Sequence, residues 1–176
     1  QKIDKNDFPF IIEVLDQLGT EKVDINLNPE EEITNDNIID HIRKHQKHPH
    51  FFKTQLKLDI EYFISHFFEL KDKLIENIRG QNFDIDDNVI ESIISSSKIV
   101  LDSENDILET VNELYLKDKK FSILYEFVDF RNVESESMKK FIQQFDINDL
   151  TISTWSSICN RLEQEILNDD KNSEQS

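Results

Sequence analysis

Apolar residues recur at intervals of three and four along most of the chain, and each such stripe predicts one helix. The first stripe is Phe8, Ile11, Ile12, Val14, Leu15 and Leu18, opened by Asn6 or Asp7 with Pro9 in its first turn and stopped at Gly19. Thr20 to Glu32 is acidic, contains Pro29 and reads as a linker. Thr34 then opens a helix with Ile38, Ile39 and Ile42 on one face, ending near Pro49. A longer pattern from Phe51 to Leu70 carries Phe52, Leu56, Ile60, Phe63, Ile64, Phe67 and Phe68, and a short one from Asp72 to Ile78 is punctuated by Gly80. After a turn at Phe83, Asp84 or Asp86 caps a helix whose buried stripe is Val89, Ile90, Ile93 and Ile94. Ser95, Ser96 and Ser97 end it, because their hydroxyls compete for helical backbone bonds, and Lys98 to Leu101 reads as extended.

The stretch from Leu101 to Leu150 predicts a helix, a second short helix, an extended crossing and a third helix. Ser103 stands three residues ahead of Asp106, and Ile107, Leu108, Val111, Leu114 and Tyr115 follow at helical spacing. That is a capping box, in which the Ser103 hydroxyl accepts from the Asp106 backbone N–H. Phe121, Ile123, Leu124, Phe127 and Val128 form the short helix. From Val128 to Val133 the apolar residues leave the 3.6 period, and helical spacing resumes through Met138, Phe141, Ile142 and Phe145. Asp146 to Asp149 connects to a last helix that starts at Thr151, with Ile152, Trp155, Ile158, Leu162 and Ile166 along one face. Residues 169–176 read as a polar, disordered tail.

Composition strengthens the helical reading. Two Gly and three Pro leave little material for hairpins, so the fold class is all-α. Thirteen Phe residues imply an aromatic-rich core. A net charge of −17 argues against nucleic acid or an anionic membrane surface, since both attract clustered Lys and Arg. No apolar run approaches the roughly 18 residues of a membrane span. The single Cys159 has no partner within the chain for a disulfide and suits a reducing compartment, cytoplasmic or nuclear.

The segment Ile123-Leu124-Tyr125-Glu126-Phe127-Val128-Asp129-Phe130-Arg131-Asn132-Val133, then Glu134-Ser135-Glu136-Ser137-Met138, resembles the central part of a BACK domain. This is the helical module that follows the BTB domain in BTB-Kelch and related adaptors. Leu124, Val128, Phe130, Val133, Glu136 and Met138 fall on the apolar and acidic positions of the family pattern, after the box formed by Ser103 and Asp106. Asp129 stands where the family usually has Arg, and Glu134 where it often has Ser. The similarity covers roughly Asp84 to Leu162. It implies an array of antiparallel helix pairs forming a BACK-like helical bundle over residues 29–168. It further implies that residues 1–28 hold the last helix of a BTB domain, whose body would lie upstream, plus a linker. Such a module does no chemistry and takes no cofactor. It spaces a BTB dimerisation domain from a recognition domain, often in a substrate adaptor of a cullin-RING ubiquitin ligase. A protein partner, a cullin among the candidates, and a homodimer formed through the BTB domain are thereby implied, with cullin contacts falling within Asn35 to Leu70.

Two other readings come from the residues alone. A strongly acidic helical module would dock a basic partner protein by charge complementarity. His41 and His45, at i and i+4, share a helix face and could reach one metal ion, with His48 or His50 completing the set. Against a metal-dependent activity, Arg43, Lys44 and Lys47 crowd the segment with positive charge, and it holds no carboxylate at the spacing of an HExxH motif. No GxSxG or phosphate-binding loop is present. Glu30-Glu31-Glu32 and the acids from Asp84 to Asp87 lack the spacing of a calcium loop. Cys159, Met138 and Trp155 read as core residues.

Overall fold

The computed structural model describes residues 32–81 and 83–173, together with Ile11 and Val14, both helical; side chains at 165 and 167–173 are not described. Apart from Ile11 and Val14, the expected N-terminal helix lies outside the described residues, as do most of the acidic linker and residues 174–176; residues 169–173, expected as disordered tail, instead continue the last helix. The described residues form an all-α fold with no strand. The chain divides into two units, Gln1–Phe63 and Ile64–Ser176.

In the first unit, helix α1 (Ile38–Gln46) begins four residues after Thr34. A turn precedes it, in which the Thr34 N–H donates to Asn37 Oδ1 at 2.8 Å and the Ile38 N–H to the Thr34 carbonyl at 3.1 Å. Ile38, Ile39 and Ile42 are buried as the stripe requires. Helix α2 (Lys53–Ser65) returns Tyr62 to this turn, where its hydroxyl donates to Asn35 Oδ1 at 2.8 Å.

The single helix expected over 51–70 is two helices. α2 stops at Ser65, and α3 (Phe67–Arg79) absorbs the short segment expected after Asp72. The cause lies thirty-odd residues downstream. Extended Val100 donates its N–H to the Ile64 carbonyl at 3.1 Å and accepts the Phe68 N–H at 3.2 Å, so its peptide takes bonds that would otherwise face the helix ends. Phe68 is exposed as a result of the new register. Gly80 closes α3 in ordinary extended conformation, and a Cβ there would sit 3.1 Å from the Asn77 carbonyl.

The rest of the second unit follows the expected order: α4 (Asp87–Ile94), α5 (Glu104–Lys117), 3₁₀ turns at Lys119–Phe127 and Phe130–Asn132, α6 (Ser135–Gln144), a 3₁₀ turn at Ile147–Asp149, and α7 (Ile152–Ser173). Asp86 stands at the N-cap position of α4 without a side-chain capping bond, and Val89, Ile90, Ile93 and Ile94 are all buried. α5 is the hub, packing against α3, α6 and the first 3₁₀ turn. Its stripe from Ile107 to Tyr115 is buried, and Tyr115, Tyr125, Phe130, Phe141 and Phe145 stack beside it with neighbouring ring centroids 4.9–5.7 Å apart. Such pairs contribute about 0.5–1.5 kcal/mol each beyond the area they bury. In the 3₁₀ segment Lys119–Phe127 and just after it, Phe121, Leu124, Tyr125 and Val128 go inside while Ile123 and Phe127 stay exposed. Ile142 of α6 is exposed as well.

Candidate functional surfaces and a histidine–aspartate cluster

The motif residues of the Leu101–Leu150 stretch gather around the crossing at 128–134. Ser103 and Asp106 form the capping box. Asp106 Oδ2 accepts from the N–H groups of Ser103 at 3.1 Å and Asp102 at 3.0 Å, while Oδ1 meets Lys71 Nζ of α3 at 2.8 Å. Burial works to raise the Asp106 pKa, but Lys71 and the two N–H donors outweigh it and hold the carboxyl below its ordinary 3.8. Lys71 is an addition that the sequence pattern did not single out. Leu124, Val128, Phe130, Val133 and Met138 are buried, and Glu136 is exposed in the first turn of α6, 3.5 Å from Lys139.

The crossing leaves the helical period, so its backbone groups need partners from elsewhere. α5 supplies two: Glu104 Oε1 accepts from the Asp129 N–H at 2.6 Å, and Asn105 Oδ1 from the Glu134 N–H at 3.0 Å. α7 supplies the donors. The Ser157 hydroxyl reaches the Val128 carbonyl at 3.2 Å, and buried Arg161 donates to the carbonyls of Phe130, at 2.8 Å, and Val133.

This overturns the expected orientation of the last helix. Its buried line is Thr154 and Arg161, with Ser157 half-buried, because the crossing needs donors. The apolar stripe therefore faces outward: Ile152 is 89% exposed, Trp155 51%, Leu162 48% and Ile166 61%, while Ile158 and Cys159 are half-buried. Trp155 is not a core residue, whereas Met138 is. Ile152, Trp155, Cys159, Leu162 and Ile166 are spaced 3, 4, 3 and 4 apart, the a/d spacing of a seam that meets another helix.

In the first unit, His41 and His45 do share a face of α1, and Asp59 of α2 joins them. One ligand atom from each lies within 4.8 Å of the others. His45 Nδ1 is 2.6 Å from Asp59 Oδ2, and His41 Nδ1 is 3.7 Å from Oδ1. The three residues are 8%, 0% and 1% exposed, and Phe52 packs on the His45 ring at 4.9 Å between centroids. His48 is half-buried and His50 exposed, and neither belongs to the group. The crowding charges do not enter it: Lys44 and Lys47 are exposed, and Arg43 pairs with Asp40 at 3.1 Å. Asp59 brings to the two histidines a carboxylate from the next helix. One sequence signal marks it, since Leu56, Asp59 and Phe63 at i, i+3 and i+7 place an acid on the apolar face of its helix.

Among the described residues no helix is long and apolar enough to cross a membrane. Compared with known proteins, the chain matches no family model, no curated protein and no solved structure.

Proposed function

We propose that this chain is a non-catalytic helical interaction module, a BACK-type spacer in a BTB-containing adaptor of a cullin-RING ubiquitin ligase. The observation that carries the interaction role is the outward apolar seam of α7, since a helix that exposes Trp155, Leu162 and Ile166 in register offers an anchor row to a partner helix. The partner is a protein whose apolar helix is flanked by basic side chains, to complement a net charge of −17. The adaptor role is supported by the resemblance over Asp84 to Leu162 and by the dense aromatic core, which suits a part that works by holding its neighbours at a fixed spacing.

The test is a pull-down on a host-matched cullin, with this chain and with a version extended upstream through a BTB domain, each also carrying Trp155→Glu and Leu162→Glu. Binding by the longer version only supports the adaptor role, with the seam serving another partner if the double variant still binds. If neither version binds while both are folded and helical, the ligase role falls and the interaction module remains. Affinity for the seam's partner that weakens steeply with salt identifies the acidic surface as part of the docking site.

A further inference from the structure

We infer that His41, His45 and Asp59 bind one divalent transition-metal ion, zinc by the chemistry of the donors, and that this ion fastens α1 to α2. Two helices converge here on three metal-ligating side chains that are all more than nine-tenths buried. Their hydrogen bonding is incomplete: His41 Nδ1 and Asp59 Oδ1 face each other at 3.7 Å, and neither has a hydrogen-bond partner. A buried polar atom left in that state is costly, on the order of 1–3 kcal/mol, so such pairs are rare unless something occupies the gap. A cation bonded to both atoms removes that cost for each.

The spacing suits a tetrahedral ion. Bonds of about 2.0–2.2 Å place neighbouring ligand atoms roughly 3.3–3.6 Å apart. The His41–Asp59 pair at 3.7 Å is nearly there, and the 2.6 Å contact between His45 and Asp59 opens by roughly 1 Å as hydrogen bond gives way to metal bonds. Two imidazoles and one carboxylate select zinc or its neighbours over calcium and magnesium, which take six or more oxygen ligands or keep their waters. One water completes the set. Phe52 against the His45 ring holds that imidazole in place, as the shell around a metal ligand does. Arg43 pairs with Asp40 at 3.1 Å and the Lys44 ammonium sits over the Phe52 ring, 6.0 Å from its centroid, so the Phe52 ring stands between that charge and His45.

The test uses the 176-residue chain without a histidine tag, stripped with chelator and titrated with Co²⁺ and then Zn²⁺. One equivalent of Co²⁺ should bind with the visible absorption of a four-coordinate ion. Zn²⁺ should displace it and raise the melting temperature, and equal Mg²⁺ should do neither. His41→Gln and Asp59→Asn should each weaken binding by on the order of tenfold or more, and His50→Gln, at an exposed histidine outside the group, should leave it unchanged. Absence of stoichiometric binding overturns the site, as does binding that survives both ligand variants or is lost with His50. If Asp59→Asn fails to fold, His41→Gln and the Co²⁺ spectrum of the parent chain decide.

Discussion

Arg161 is buried because two carbonyl oxygens need it. The crossing at 128–134 keeps only the short 3₁₀ turn Phe130–Asn132, and one guanidinium on α7 takes the Phe130 and Val133 carbonyls together. Replacing it with Met keeps the stem and removes the donors. Arg161→Met should lower unfolding free energy by about 1–3 kcal/mol, read by urea titration, because the Val133 carbonyl loses its donor and the Phe130 carbonyl keeps only the Val133 N–H at 3.3 Å. A loss under about 0.5 kcal/mol would mean that they are hydrated or bonded elsewhere. Asp106 makes a second case, in which charge sets a pH dependence. Its folded pKa lies below the ordinary 3.8, so the stability it contributes is present above that value and is lost as pH falls through the folded one. The melting temperature should therefore fall as pH drops below about 4, and less steeply in Asp106→Asn, measured by thermal scans across the acid range. The variant should also lose about 2 kcal/mol at neutral pH with the Lys71 contact.

At the scale of elements, the helices whose apolar stripes meet the core were legible. α4 and α5 fall where their stripes and caps put them, because a caps-plus-period signal is local. What was not legible depends on distant backbone. The break between α2 and α3 belongs to Val100, whose N–H and carbonyl take bonds from Ile64 and Phe68, and nothing near His66 announces it. Val100→Pro should remove the N–H and cost about 1–3 kcal/mol, visible as earlier urea unfolding with helicity otherwise kept. An unchanged midpoint would show that the Val100–Ile64 bond is dispensable. α7 was placed correctly and turned the wrong way. Periodicity reports which residues share a face and leaves open whether an apolar or a polar face meets the core; here the demand for donors decided. Asp59 was not joined to His41 and His45 in sequence for the same reason, since a search within one helix does not find an acid on the next. In the short segment Lys119–Phe127 the expected apolar set included Ile123 and Phe127, which are exposed, and left out Tyr125, which is buried.

Across the whole molecule, charge opposes compaction. Seventeen net negative charges repel one another, while exposed pairs such as Arg79–Glu113 at 2.6 Å and Lys119–Asp146 at 2.8 Å gain little in water. Screening therefore relieves more repulsion than attraction. Raising ionic strength from about 0.01 M to about 0.15 M with NaCl should raise the melting temperature; a fall would mean that the ion pairs dominate. The crossing also carries a consequence for the order of assembly. Its backbone partners lie 25 to 31 residues away on both sides, in α5 before it and α7 after it. As the chain leaves the ribosome, α5 is made before Arg161, so the Val128 and Val133 carbonyls lack their α7 donors until the last helix arrives. The final helix thus acts as the latch of the second unit, and a chain cut short before it would leave that segment's carbonyls facing water.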